Sequence, residues 1–325
     1  MRLLKLVPDN TNVHFIKWQW PTTILSVLLM IASWALVFTN GLNLGVDFVG
    51  GQMIRVTFTQ SHTAPVAALR GEIEKLGYGE PVIQTVGNPN AVSIRMRLPD
   101  GSDKNAGLAD KMTRTISADI KTHHADARID GVDSVSGKVS SELGWTAFKA
   151  LGFAAIAISI YIWFRFEWQF GVGALVSLVH DVSLTMGLFA VTQMEFDLTI
   201  VAAILTILGY SLNDTIVVYD RIRENLKKYR RMPMNELLDL SINETLARTI
   251  MVAATMLITL TALFVLGPKV IHGFSAALIV GIVVATYSSI YAAAPMLIWL
   301  GVTGHSFVPV ETAQDRQEKI ARGEA

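Results

Sequence analysis

Hydrophobic and polar positions divide the chain into six long apolar runs and one segment of mixed pattern. The runs predict spanning helices at 20–39, 145–164, 170–192, 196–219, 249–266 and 274–300, each near the roughly 20 apolar residues that cross a bilayer. Residues 40–143, between the first two runs, change period. Over 52–59, Met53, Arg55 and Thr57 alternate with Ile54, Val56 and Phe58, which predicts a strand. Over 64–76, Val66, Leu69, Ile73 and Leu76 recur at helical spacing. Short strands are expected at 81–86 and 91–98, around the turn Gly87-Asn88-Pro89-Asn90. A second helix is expected at 104–124, then a strand over 127–139 with Ile129, Val132, Val135 and Val139. The order strand, helix, strand, strand, helix, strand is ferredoxin-like. The expected fold class is therefore an α-helical polytopic membrane protein with six transmembrane helices and one α+β ferredoxin-like domain between helices 1 and 2. That α+β order serves many functions and names none.

Small residues let spanning helices approach closely. Gly152, Ala155 and Ser159 in the second span, and Gly273, Ala277 and Gly281 in the sixth, predict such faces. Trp18, Trp20, Trp145, Trp163, Trp168 and Trp299 fall at span ends, where amphipathic rings favour the headgroup zone.

Charge placement orients the chain. Arg2, Lys5 and Lys17 precede the first span, and Arg165 separates the second and third. Arg221, Arg223, Lys227, Lys228, Arg230 and Arg231 follow the fourth, and Arg316, Lys319 and Arg322 lie in the tail. The alternate loops carry Glu195 and Asp197 without a basic residue, and only Lys269. Basic residues favour the inner side, so the N-terminus (1–19), the basic loop 220–248 and the tail 301–325 are expected in the cytoplasm, with 40–143 outside. The first run is too long for a signal core and no small-x-small cleavage site follows it, so it is read as an uncleaved span. Net charge is zero, so no global field draws nucleic acid. The absence of cysteine excludes disulfides, cysteine-ligated zinc and thiol catalysis.

Asp214 is the central candidate for chemistry. It lies five residues before Tyr219, about 8 Å from the inner end of its span. A carboxylate at such a place costs roughly 2.5–3.5 kcal/mol on insertion scales and marks function by default. Carboxylates shielded from water titrate closer to neutrality than exposed ones, which makes Asp214 a candidate ion or proton carrier. Alternatively, Asp214 and Asn213 cap or bond a neighbouring helix. Arg248, at the inner edge of the fifth span, is the candidate counter-charge or a residue that snorkels to headgroups. His180 and Asp181 lie about 15 Å into the third span, either as part of a relay or as a packing pair. Asp220, Arg221, Arg223, Glu224 and Asn225 read as an orientation signal and a solvated helix start. Gly45, Asp47, Phe48, Gly50 and Gly51 form a flexible, tight-turning link into the first strand, without the lysine of a phosphate loop. His62, His123 and His124 read as surface residues. Gly-x-Ser-x-Gly, His-Glu-x-x-His and Gly-x-Gly-Asp are all missing, so no enzyme activity, metal or cofactor is expected.

These stretches resemble a known family. Gly45-Val46-Asp47-Phe48-Val49-Gly50-Gly51 is similar to the motif after the first span of SecF-type subunits in the SecD/SecF family. The stretch from Leu212-Asn213-Asp214-Thr215 to Asp220-Arg221-Ile222-Arg223-Glu224-Asn225 resembles their fourth-span motif, and Asn243-Glu244-Thr245-Leu246-Ala247-Arg248 the start of their fifth span. The resemblance implies a bacterial inner-membrane subunit of the resistance-nodulation-division (RND) superfamily that pairs with SecD. It would use the proton or sodium motive force to promote export of unfolded preproteins after the SecA and SecYEG step, beside SecYEG and the accessory proteins YajC and YidC. The family's intramembrane aspartate falls on Asp214 and its partner arginine on Arg248. Six helices with one outer domain make half of a twelve-helix transporter, which needs a partner to close its polar interior. Half of an RND-type solute or ion exporter is the alternative.

Overall fold

Six helices are long and apolar enough to cross a membrane. The computed structural model describes residues 8, 11–98, 106–135 and 137–303. Arg2, Lys5, Arg316, Lys319 and Arg322 lie outside the described residues, as do most of the tail 301–325 and the first residues of the helix expected at 104–124. A 3-10 turn at Ile16–Trp18 leads into α1 (Gln19–Asn40) and the single turn α2 (Val46–Val49). The α+β domain follows as β1 (Gly51–Phe58), α3 (Val66–Lys75), β2 (Val82–Thr85), β3 (Ala91–Met96), α4 (Ala106–His123) and β4 (Ala127–Val135). Then come α5 (Gly137–Arg165), α6 (Trp168–Thr192), α7 (Leu198–Lys228), α8 (Met234–Leu266), α9 (His272–Ser288), a π-helical turn (Ser289–Ala293) and α10 (Ala294–Trp299).

The α+β domain is a four-stranded antiparallel sheet in the order β2-β3-β1-β4, the ferredoxin-like arrangement expected from the element order. Period 2 puts Ile54, Val56 and Phe58 on one face with Val92, Ile94 and Met96, where Leu69, Ile73, Met112, Ile116 and Ile120 of α3 and α4 cover them. In β4 the spacing of Ile129 and Val132 breaks that period. The register shifts there, because Arg55 pairs with Gly131 while Val56 pairs with Ile129. The extra residue is a bulge that returns Val132 opposite Ile54. The last strand ends at Val135, not 139, since α5 already begins at Gly137. The second span therefore rises from the α+β domain as one helix.

In the bundle, the apolar stretches of α6, α7 and α9 are 56 %, 50 % and 50 % buried, against 11 % in α1 and α5 and 17 % in α8. Three central helices thus carry the interior, and three outer ones show apolar surface to lipid or another chain. The small-residue face of the sixth span is packed: Ala277 is fully buried, and a Cβ on Gly281 would strike Ile207. On the expected face of the second span, among the described residues, Gly152 meets nothing within 4 Å, Ala155 is exposed and Ser159 is partly buried. Two further expectations are corrected. The segment 220–248 is mostly helix rather than loop, because α7 runs on to Lys228 and α8 starts at Met234. The sixth span is not one regular helix but is interrupted by the π turn, with Pro295 just beyond it.

The stretch expected as a flexible link is also more structured. Gly50 (φ 74°) ends α2 and Gly51 (φ 113°) starts β1, where a Cβ would sit 2.5 Å from the carbonyl oxygen of Met96. Left-handed backbone and contact with main chain both require glycine there. Gly51→Ala is expected to destabilise the α+β domain by roughly 1–3 kcal/mol. Thermal unfolding of the purified protein checks this, and an unchanged melting temperature would remove the claim.

A candidate ion site in the helix bundle

Helix α7 begins where Asp197 accepts from the backbone N–H of Thr199 and Ile200, at 2.9 and 3.2 Å, an N-cap that satisfies two otherwise unpaired donors. From there a buried stripe of Ile200, Ala203, Ile204, Ile207, Leu208, Ser211, Asp214, Thr215 and Val218 runs inward. Its helical period turns Asp214 to the bundle interior, where it is 7 % exposed. Thr249 Oγ1 of α8 donates to Asp214 Oδ1 at 2.6 Å, and Ser289 Oγ of the π turn donates to Oδ2 at 2.7 Å. Hydroxyls from two other spans thus hold the carboxylate.

Arg248 does not pair with Asp214. It is exposed on α8, one residue before the Thr249 that makes the contact, and acts on Asp214 only coulombically. Asn213 is likewise exposed, on the surface of α7. Successive helical residues point about 100° apart, so each is rotated away from the site although its depth is right.

Asp181 and His180 are buried in α6, at 0 % and 1 % exposure. They bond to each other through Nδ1 and Oδ1 at 2.9 Å. Ser211 and Ser288 both donate to Asp181 Oδ2, at 2.5 and 2.9 Å.

At the far end of α7, the Asp220–Asn225 stretch braces the helices rather than merely facing solvent. Arg165 pairs with Asp220 at 2.7 Å, Arg221 with Glu224 and Glu244, and Arg223 with Glu167 at 3.4 Å. Asn225 donates to Ser241 and Glu244.

At the α+β-domain end, Asp47 Oδ2 accepts from Leu198 N at 3.0 Å. Gly45 N donates to Phe196 O, Phe196 N donates to Asn43 O, and the Phe48 and Phe196 rings meet at 5.9 Å. The glycine-rich stretch is thereby tied to the start of the helix that carries Asp214. Arg55 of β1 pairs with Asp133 and, at 3.4 Å, with Glu195. Burial pushes the Glu195 carboxyl up to about 6, against the opposing pull of Arg55. A carboxyl raised in the folded state contributes stability that is full below its ordinary 4.5 and is lost as pH rises through 6. The difference corresponds to roughly 2 kcal/mol. Contact between the α+β domain and the bundle is therefore expected to loosen between pH 4.5 and 7. Hydrogen exchange of β1 as a function of pH reads it, and Glu195→Gln is expected to flatten the dependence.

Among the described residues, Glu72, Asp119 and His123 bring possible metal-ligand atoms within 4.8 Å of one another on α3 and α4. His124 instead bonds Glu72 at 3.0 Å.

Residues 35–61 match the SecD/SecF GG motif, and residues 115–303 match the family described as protein export membrane protein SecD/SecF, C-terminal. The chain is 44 % identical over 309 residues to the protein translocase subunit SecF of Rhodobacter capsulatus, with 92 % of each chain covered. The chain belongs to the SecD/SecF family. It is equally 44 % identical over 303 residues to the SecF of Cereibacter sphaeroides, covering 92 % of this chain and 93 % of that one. Its fold is similar to the crystal structure of SecDF, a translocon-associated membrane protein from Thermus thermophilus, with a TM-score of 0.79 and 32 % identity. That match covers 90 % of this chain but 39 % of the SecDF chain.

In this SecD/SecF-family member, the bonds of four hydroxyl residues to the two carboxylates escaped the sequence reading: those of Thr249, Ser289, Ser211 and Ser288. Ser211 carried one signal, lying three residues before Asp214 and so on the same helix face. The adjacent pair Ser288-Ser289 inside an apolar span carried another.

Proposed function

We propose that this chain is the SecF subunit of a protein translocase, paired with a SecD chain, and that ion movement at Asp214 drives its contribution to protein export. The observation that carries the reading is Asp214 itself, a carboxylate on the buried face of α7 held, among the described residues, by hydroxyls of α8 and the π turn. Hydroxyls leave such a group able to exchange a proton or sodium ion, whereas a fixed cation on it would hold it charged. Family membership supplies the context of protein export. Asp47 connects the α+β domain to the start of α7, 16 residues and about 24 Å from Asp214. One helix therefore joins ion binding to the position of that domain.

In this reading the α+β domain lies outside the bacterial inner membrane and both termini lie in the cytoplasm. The exposed faces of α1, α5 and α8, with Arg248 among them, receive SecD. The pair acts on unfolded preproteins after the SecA and SecYEG step, beside SecYEG with YajC and YidC as neighbours, as a carrier and not an enzyme. Vesicles containing the reconstituted pair test it. A pH or sodium gradient is expected to produce an ion-dependent current. No current under either gradient would sink the reading.

A further inference from the structure

Asp181 is the more enclosed of the two carboxylates. Its oxygens take three side-chain hydrogen bonds, from His180 Nδ1, Ser211 Oγ and Ser288 Oγ. Ser177 Oγ donates in turn to Ser288 Oγ at 2.9 Å, and Thr185 Oγ1 to the Asp181 carbonyl at 2.8 Å. A hydroxyl or amide pair would fix helix packing at lower cost than a buried ionisable pair. Two observations point past packing.

The first is His180 Nε2, which is buried without a partner among the described residues. With Nδ1–H donated to the Asp181 carboxylate, Nε2 is a bare lone pair. A proton arriving there makes the ring an imidazolium and takes the dyad from net −1 to net zero. Its departure reverses the step, and no bond between heavy atoms is made or broken.

The second is the placement of two consecutive serines at the start of the π turn. Ser288 bonds Asp181 and Ser289 bonds Asp214. Single π turns inside α-helices are rare and frequently fall at functional sites. A rearrangement of this turn at one carboxylate therefore moves the donor of the other. Ser211, on Asp181, and Asp214 sit one turn apart on α7, which closes the connection on a second helix.

We propose that His180 and Asp181 form a second proton-holding site within the bundle, coupled to Asp214 through Ser288 and Ser289. The proposal rests on the reading of Asp214 as an ion-binding group. Among the described residues, Tyr287 stacks its ring on His180 at 5.9 Å, and on α7 Tyr210 and Asp214 lie one and three residues from Ser211, which bonds Asp181. From α1, Ser26 Oγ and the Thr22 carbonyl meet the Tyr287 hydroxyl, and Trp34 donates to Ser183 of α6; all three are uncharged.

Infrared difference spectroscopy of the purified full-length protein in lipid nanodiscs, titrated with pH, tests the proposal. Other carboxylates and imidazoles of the chain titrate in every variant, so the signal of the dyad is the difference between the Asp214→Asn protein and the same protein with His180→Asn added. A titrating imidazole band with a coupled carboxylate shift is expected in that difference, because the amide nitrogen can replace Nδ1 as donor to Asp181 but offers nothing in place of Nε2. Identical titrations of the two proteins would overturn the proposal. Should the double variant fail to fold, Ser288→Ala decides. That change is expected to shift the titration of the Asp214 bands, and an unshifted titration overturns the coupling. Wild-type ion flux in Asp214→Asn vesicles would instead count against the reading of Asp214, so the two failures are separable.

Discussion

Asp214→Asn is expected to fold, to keep its partner chain and to carry no ions. The amide oxygen can still accept from Thr249, and Ser289 can rotate to accept from the amide nitrogen, since a hydroxyl both donates and accepts. Stability should therefore change by no more than about 1 kcal/mol. What the variant cannot do is ionise. One charge crossing 100 mV gains about 2.3 kcal/mol, and that bias is lost with the titrating group. Proton uptake into vesicles carrying the reconstituted variant should fall to the level of empty vesicles, with co-purification of the partner unchanged. Uptake at the wild-type rate would place the ion path elsewhere, with His180 and Asp181 or the partner subunit next in line. Arg248→Ala is expected to impair flux while leaving the bonds from Thr249 and Ser289 intact, because Arg248 contacts neither donor. Arg248→Lys should retain part of the activity. Arg248→Ala flux equal to wild type would limit the arginine to an anchoring role.

The parts of this architecture that were legible in the sequence are those written in local periods. Ile54, Val56 and Phe58 announce a half-covered strand, and six apolar runs announce six spans, because side-chain direction repeats every 2 or 3.6 residues. Even the bulge in β4 left a trace, in the three-residue step from Ile129 to Val132. Rotation about a helix axis was less accessible. Depth along the fifth span put Arg248 beside Asp214, but the neighbouring Thr249 faces inward and Arg248 does not. The hydroxyl partners were hidden for a different reason. Ser and Thr are common in membrane helices and readily bond their own i−4 carbonyls, as Ser183 and Thr206 do here. Residue type alone does not separate those from Ser289, which reaches a carboxylate. The Asp220–Asn225 motif was underread because its partners, Glu167 and Glu244, are distant in sequence.

Gly281→Ala is expected to depress ion flux although it removes no polar group and lies two turns from the carboxylate. A Cβ at this position would sit 2.4 Å from Ile207 Cδ1 and 2.5 Å from Cγ1. Eight residues further along the sixth span, Ser289 meets Asp214, which lies seven residues after Ile207. Both contacts belong to the same helix pair, about 11–12 Å apart. Overpacking of this kind costs about 1–3 kcal/mol, and it is relieved by spreading α7 from α9 or by driving Ile207 from its rotamer. Spreading lengthens the Ser289 bond to Asp214, so flux is expected to fall by roughly 5- to 150-fold, with a lower melting temperature. Truncating the opposing side chain makes room for the added methyl. Ile207→Ala alone leaves a cavity and costs about 2–5 kcal/mol, but combined with Gly281→Ala it should recover most of the flux that Gly281→Ala loses. The four proteins form a double-mutant cycle, and contact across the helix pair predicts an interaction of 0.5–3 kcal/mol in favour of the double variant, ~2- to 150-fold in flux. Additive losses would mean that the Gly281–Ile207 contact does not set the distance between Ser289 and Asp214.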